Sequence, residues 1–582
     1  MPMQKAKVTT SAASSSAGRS SGGGAERPTG RNIIVCCDGT GITEDHMTGQ
    51  SVTPSNILKI FNCIDVSGDD NGDSEREQVA FYEKGVATTG NVLTRAGAGM
   101  TGFGIATKIC IMYTWLGHNW REYGQNSEEE DRLFLFGFSR GAFAIRSLNG
   151  MLYRVGLLDL NGLDSKEAYR RVKIAYKKGY QNQKSRNEWA FGGRDAKGRK
   201  HRDPWKFFDD HDEQGRIAAH FIGAFDTVGQ LGMPRETWCL WTLGLLCCLG
   251  NSKHAYHDIG GNPLTRTARH AVAIDEMRST FQPVFDRSLG AALNKSGLDF
   301  KQVWFPGCHG NVGGGLLDTG LSDGALKWMI DEASKQGLRF DAKMVEQIKP
   351  NYQANIYYTH GTSVYKNLTF YPRSMPAIVP ENMEANCPGG MECIHESAIL
   401  RSQNPPITDA PYFNTIQLTV GETRSFTLRA DKTYNHTYVF LKKGEKYRFS
   451  ATGRWSGYRE RPCGPEGYSE SIFHRPPAVS IGVGLGRLER GWRFITRNGE
   501  TNLPFTRRHD RYPWYCLMGM ISTGGTRDAT AKAIFHKILH IGTGCDYEVE
   551  ISGYLHVYAN DNWGSYSKNK GFMEMTIERL AD

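Results

Sequence analysis

Apolar positions form short unbroken runs over most of the chain and strictly alternating segments near its end. Asn32-Ile33-Ile34-Val35-Cys36-Cys37 carries no charge, as expected of a parallel strand buried on both faces. Gln78 to Tyr82, Leu133 to Phe136, Ala218 to Phe225 and Gln302 to Phe305 read the same way. Helical spacing is expected at 55–64, 105–120, just after residue 140, at about 265–281, and at 322–336, where Ser322 and Asp323 cap the start. Strand and helix alternate, which predicts an α/β fold with a doubly wound, mostly parallel sheet. Residues 342–425 show no strong period, contain Pro380, Pro388, Pro405 and Pro406, and read as packing excursions and a linker.

From about residue 426 the texture changes. Ser425–Leu428, Tyr447–Ser450, Tyr547–Glu550, Tyr554–Tyr558 and Met573–Ile577 alternate apolar with polar residues between Gly, Pro and Asn. That pattern predicts an all-β sandwich. The expected division is a disordered tail over 1–30, an α/β domain over 31–425 and a β-sandwich over 426–582.

Composition narrows the possibilities. The 582 residues exceed what one hydrophobic core organises. A net charge of +9 is modest, and no nucleic-acid motif appears, so nucleic acid is not an expected partner. The basic stretch with Arg170, Arg171, Lys173, Lys177, Lys178, Lys184 and Arg186 reads as a solvated helix face in preference to a phosphate-headgroup contact. Thirteen cysteines, scattered and without C-x-x-C, read as reduced thiols of a protein folded in a cytoplasm. Residues 1–30 are rich in Ser, Gly and Ala and lack the apolar core of a secretory signal. The best apolar run, Trp238 to Leu249, is shorter than the ~20 residues of a membrane span. A soluble protein is expected, one that leaves its cell, if it does, by a signal-peptide-independent route.

The candidate chemistry centres on Gly137-Phe138-Ser139-Arg140-Gly141, directly after an apolar strand and before the helix-like Ala142-Phe143-Ala144-Ile145. This is the form of a nucleophile elbow, with the serine at the apex of a tight strand-to-helix turn. The competing reading is an ordinary glycine-rich turn. A serine hydroxyl needs a base, and the base needs a carboxylate to hold its tautomer. Asp226 follows one predicted strand and His309 another, and ligands of open α/β sheets bind at the carboxyl ends of strands. Ser139, Asp226, His309 is also the chain order of α/β-hydrolases. Asp318 and Asp323 compete with Asp226 as the acid. His309 leads into Asn311-Val312-Gly313-Gly314-Gly315, which reads as a flexible loop. The amide of Arg140, with Gly39 and Thr40 after the first strand, is the candidate oxyanion hole; Asp38 could brace that loop. Trp238, Trp241 and Leu245 lie in an insertion near 235–260 that suits a lid or acyl-chain wall, or else an ordinary core helix. His254-Ala255-Tyr256-His257-Asp258 lacks metal-ligand spacing and reads as structural.

Together, the Asp-Gly-Thr at 38–40, Tyr82-Glu83-Lys84-Gly85-Val86, Gly137 through Ala142, Phe225-Asp226-Thr227-Val228-Gly229, Ala273-Ile274-Asp275-Glu276-Met277-Arg278 and Phe305-Pro306-Gly307-Cys308-His309 with Val312-Gly313-Gly314-Gly315 resemble the type VI secretion phospholipase effector family, over about residues 30–420. The resemblance implies an α/β-hydrolase fold, a triad of Ser139, Asp226 and His309, and lipase or phospholipase activity. It also implies an antibacterial toxin acting at a target-cell membrane, with secretion-spike and immunity proteins as partners. Catalysis would need no cofactor. A soluble esterase on non-lipid substrates, or a non-enzymatic glycan-binding protein on a hydrolase scaffold, are the alternatives.

The tail resembles bacterial galactose-binding lectins of the PA-I type through Lys443-Gly444-Glu445-Lys446-Tyr447, Ala451-Thr452-Gly453-Arg454-Trp455, Gly464-Pro465-Glu466-Gly467 and Tyr558-Ala559-Asn560-Asp561-Asn562-Trp563-Gly564-Ser565-Tyr566. This implies a glycan partner and a calcium ion near Asp561, Ser565, Asn569 and the carbonyl of Tyr458. Lys568 stands where an amide oxygen is expected, and an ammonium cannot ligate Ca²⁺.

Overall fold

The computed structural model describes residues 6–7, 30–39, 53–67, 76–84, 103–121, 130–184, 186–191, 205–208, 217–228, 262–278, 297–358, 370–386, 392–406, 415–458, 460–468, 506–522, 526–527, 533–534 and 536–581. Eight strands make the first sheet: β1 Ala6–Lys7, β2 Asn32–Cys37, β3 Gln78–Glu83, β4 Arg132–Phe138, β5 Ala219–Phe225, β6 Thr267–Ala273, β7 Asp299–Phe305 and β8 Glu392–Ile394. Their order is β1-β3-β2-β4-β5-β6-β7-β8. Every neighbouring pair is parallel except β1 with β3 at the edge.

Successive side chains of a strand point to opposite faces, and the two faces have separate cores. Ile33, Val35, Leu133 and Leu135 pack under Ile109 and Met112 of helix α1 (Phe103–Asn119) and Leu148 and Leu152 of helix α2 (Arg140–Val155). Their alternates Ile34, Cys36, Phe134 and Phe136 pack under Ile57 and Ile60 of the helix Asn56–Cys63 and Leu326 and Met329 of the helix Gly320–Ser334. Ser55 starts the first of those helices by accepting from the Leu58 amide at 3.1 Å. The chain winds from β2 to β3 on one side, then back across β2 to β4 and beyond. The switch point therefore opens a crevice between the carboxyl ends of β2 and β4.

Five expectations change. The tail expected to be disordered over 1–30 contributes the edge strand β1, in which Ala6 pairs with Phe81 and Lys7 with Ala80. Ser322 and Asp323 lie in the first turn of the helix Gly320–Ser334, which begins after Thr319, and not at its cap. The segment expected as a helix at 265–281 runs as β6 from Thr267 to Ala273. It lies between β5 and β7, where ladder bonds on both sides and a largely buried setting override its alanine-rich local preference. Residues after His309 form a short helix, His309–Gly313, in place of a flexible loop. The supposed linker contributes β8, which pairs with β7 through Val303 and Cys393, and the helix Glu396–Gln403.

The last part of the chain is two four-stranded antiparallel sheets. Its strands are β9 Thr423–Arg429, β10 Asn435–Leu441, β11 Lys446–Ser456, β12 Leu517–Ile521, the short pair β13 Thr526–Arg527 and β14 Ala533–Ile534, β15 Lys537–His540, β16 Gly544–Glu548, β17 Gly553–Ala559 and β18 Lys570–Arg579. One sheet is ordered β10-β17-β12-β15 and the other β16-β11-β18-β9. Tyr447, Phe449, Met573, Met575 and Ile577 of one sheet share a core with Val439, Leu441, Leu517, Leu555 and Val557 of the other. Among the described residues no helix is long and apolar enough to cross a membrane.

Candidate active site

The register of the central strands sets the site. Cys37 pairs with Gly137 and Phe138 with Phe225, so Asp38, Ser139 and Asp226 emerge side by side at one rim. The Ser139 amide donates to the Phe225 carbonyl at 3.0 Å. Ser139 is held at φ 57°, ψ −123° immediately before α2. A side chain in that region costs on the order of 1–3 kcal/mol and persists only where the surroundings enforce it. Part of the enforcement is visible at Gly141, where a Cβ would collide with the carbonyl oxygens of Cys37 and Asp38. The helix is thus drawn hard against the end of β2, and Ser139 is 6% exposed at the apex.

His309 reaches the same point from β7. Its helix crosses the end of β4 so closely that a Cβ on Gly313 would enter the Phe138 ring. The imidazole lies on that ring with centroids 4.6 Å apart, beside the residue that carries the elbow hydroxyl. On its far side, His309 Nδ1 is 2.5 Å from Asp226 Oδ2. The loop after β6 supports it. Glu276 accepts from the His309 amide at 3.4 Å and is clasped by the Arg278 Nε and Nη2 groups at 2.8 Å each. Asp275 accepts from the Gly307 amide at 2.7 Å.

Burial pushes the His309 pKa below its ordinary value, against the opposing pull of Asp226. The ring is therefore neutral near pH 7 and able to take a proton. Burial alone would raise the Asp226 carboxyl, but Arg373 and His309 outweigh it and hold the group below the usual carboxylate range. Arg373 completes the cluster from a segment that carries no motif in the sequence. Its Nη1 and Nη2 groups meet Asp226 Oδ1 and Oδ2 at 2.6 and 3.1 Å, and Nη1 also donates to the Ala273 carbonyl at 2.7 Å. The competing acids are engaged elsewhere. Asp318 accepts from the amides of Gly320 and Asn355, while Asp323 takes Lys59 Nζ at 2.7 Å and the Thr319 hydroxyl at 2.9 Å.

At the end of β2, Asp38 is buried and burial raises its pKa. It accepts from the Ser55 hydroxyl at 2.5 Å, the Tyr82 hydroxyl at 2.7 Å and the Gly39 amide at 2.7 Å. Asp38 does brace its loop, but the Gly39 N–H points at Asp38 and not at the elbow. Thr40, Trp238, Trp241 and Leu245 lie outside the described residues. Arg140 opens α2, its amide next to Ser139.

In the sandwich, Asp561 is buried and accepts from the Asn562 amide at 2.7 Å and Asn569 Nδ2 at 2.8 Å. Burial raises its pKa to about 6. Ser565 Oγ accepts from Asn562 Nδ2 at 2.8 Å. Tyr458 is 51% exposed, with Lys568 Nζ 5.3 Å from its ring centroid. Asn569 Oδ1 is buried without a donor, the one feature here that favours a cation. A calcium ion takes six to eight oxygens; Asp561 and Asn569 carry theirs within this cluster, while Lys568 offers an ammonium, which is no ligand. Among the described residues no group of three or more His, Cys, Asp or Glu is placed to hold a metal.

A family model described as "T6SS, Phospholipase effector Tle1-like, catalytic domain" matches residues 31–332. The chain is similar to the uncharacterized protein YEL023C of Saccharomyces cerevisiae, 30% identical over 269 residues, which is 44% of this chain and 32% of that protein. The match thus spans about a third of that relative's length. Among solved structures, an uncharacterized protein from Pseudomonas aeruginosa matches at 17% identity over 56% of this chain and 50% of that one, with a TM-score of 0.32. The Tle1 effector bound to the VgrG spike from the type 6 secretion system matches at 17% identity over 55% and 58%, TM-score 0.29. The EclA N-terminal domain, a PllA-like lectin, matches at 19% identity over 27% of this chain and 94% of that one, TM-score 0.16.

Proposed function

The chain belongs to the Tle1-like phospholipase effector family of the type VI secretion system, and on that premise we propose that it is a serine hydrolase cleaving a carboxylic ester bond of membrane phospholipids, with Ser139, Asp226 and His309 as its triad. The observation that carries the reading is the 2.5 Å contact between the buried Asp226 and His309, set beside a serine held in a strained turn.

Asp226 fixes the tautomer with the proton on Nδ1, leaving Nε2 to accept the Ser139 proton as Oγ attacks the ester carbonyl. The Arg140 amide faces the developing oxyanion. A second donor at Gly39 requires its N–H to turn from Asp38; Thr40 is the other candidate. The imidazolium then protonates the departing lysophospholipid oxygen. Water, deprotonated by the same ring, releases the fatty acid from the acyl-enzyme. Trp238, Trp241 and Leu245 are the candidates for a lid or acyl-chain wall. No metal or cofactor takes part in these steps.

Family membership supports delivery from a producing cell, with a secretion spike as carrier, an immunity protein in the producer and a target-cell membrane as site of action. The sandwich is read as a module docking on a target-surface glycan. The second reading is a soluble esterase acting on non-lipid substrates. Mass spectrometry of mixed phospholipids incubated with wild type and Ser139→Ala separates the two. Lyso-lipid and free fatty acid made by wild type alone support the proposal. Turnover of monomeric short esters with intact phospholipid supports the second reading.

A further inference from the structure

The segment that carries Arg373 is a strap between the two parts of the molecule. Pro372 and Pro376 stiffen it by fixing φ. At one end, the Tyr434 hydroxyl of the sandwich donates to the Phe370 carbonyl at 2.7 Å. Tyr371 rests on His536 and, edge-on, on Trp563, at 5.1 and 5.5 Å between centroids. At the other end the Ile378 amide donates to the Tyr554 hydroxyl at 2.8 Å, and that hydroxyl also meets Thr415 Oγ1 at 2.6 Å. Between these anchors the Tyr371 amide bonds the Met277 carbonyl at 2.7 Å, one residue from the Glu276–Arg278 pair behind His309. Met277 and Tyr371 both pack against the sandwich core. The Arg373 side chain is fully buried and ends on Asp226, itself fully buried.

We propose that Arg373 is a positioning residue for the triad acid, and that the β-sandwich, by gripping both ends of the strap, is a structural component of the active site. The proposal rests on the serine-hydrolase reading. Apart from Arg373, Asp226 Oδ2 meets the imidazole and Oδ1 accepts from the Ala273 amide at 3.0 Å, one partner on each oxygen and none that bridges the two. The guanidinium fork occupies both oxygens and fixes the carboxylate plane. It also draws on the charge that Asp226 offers to His309. The charged and titratable groups facing this pair are Glu276 and Arg278 after β6, His270 within β6, and Arg373 itself. Without Arg373, Asp226 lends more charge to the imidazolium and protonates more readily. Both changes move the acid limb of the rate profile to higher pH.

The test uses the full chain, with kcat, KM and pH profiles for Arg373→Lys, Arg373→Met and the double variant Tyr434→Phe/Tyr554→Phe, and Ser139→Ala as reference. Arg373→Met is expected to lower kcat on the order of 10²-fold with little change in KM. Its acid limb should rise by about 0.5–1 pH unit. Arg373→Lys keeps the charge and loses the fork, so it should restore the acid limb while kcat stays depressed; it also serves if Arg373→Met does not fold. The double variant should depress kcat several-fold without touching the site. Wild-type kcat and acid limb in the Arg373 variants, with Ser139→Ala inactive, overturn the positioning role. Wild-type behaviour of the double variant, with Arg373→Lys impaired, overturns the role of the sandwich. Full activity of Ser139→Ala instead removes the hydrolase reading, and this proposal with it.

Discussion

The imidazole of His309 rests on the ring of Phe138, 4.6 Å between centroids, so the residue before Ser139 is also the floor under this imidazole. Phe138→Leu keeps a buried apolar group but removes the flat support. Stability should fall by about 1 kcal/mol and kcat on the order of 10-fold, with KM nearly unchanged. Paired denaturant melts and steady-state kinetics check this.

The turn at Ser139 separates chemistry from stability. Ser139→Ala should remove turnover on the order of 10⁶-fold yet leave the φ of 57° still strained. Ser139→Gly should be equally inactive and about 1 kcal/mol more stable than the alanine variant. Thermal unfolding of the three proteins decides it.

Gly141→Ala brings a methyl group into the carbonyls of Cys37 and Asp38. Neither backbone atom can rotate away, so α2 must lift off β2. A loss of about 1–3 kcal/mol together with lost activity is expected, measured by the urea midpoint.

These positions show what was legible beforehand. The elbow announces itself because an unbroken apolar strand runs into closely spaced glycines. Asp226 and His309 are legible as polar residues one and four places past buried strands. β6 does not read as a strand because Thr267–Ala273 holds three alanines and a single valine; pairing on both sides decides its conformation. Arg373 gave no local signal. It lies in a stretch without periodicity and finds its partner 147 residues away, a contact only the assembled fold creates.

Burial lowers the His309 pKa below 6.5, which fixes the sign of the pH response. The ring must be neutral to accept the serine proton, so kcat/KM should hold below pH 6.5 and fall only as pH drops through the lowered value. A profile of kcat/KM against pH reports the free-enzyme ionisation. In Asp226→Asn, which removes the group that raises it, the residual activity should persist to still lower pH.

The central claim is that the hydroxyl at residue 139 is the activated nucleophile. Incubation with a serine-directed organophosphonate, followed by peptide mass mapping, tests it most directly. A single adduct on Ser139, absent from Ser139→Ala and formed far more slowly in His309→Ala, is the predicted result. An unmodified Ser139 in protein that still releases fatty acid from phospholipid would contradict it.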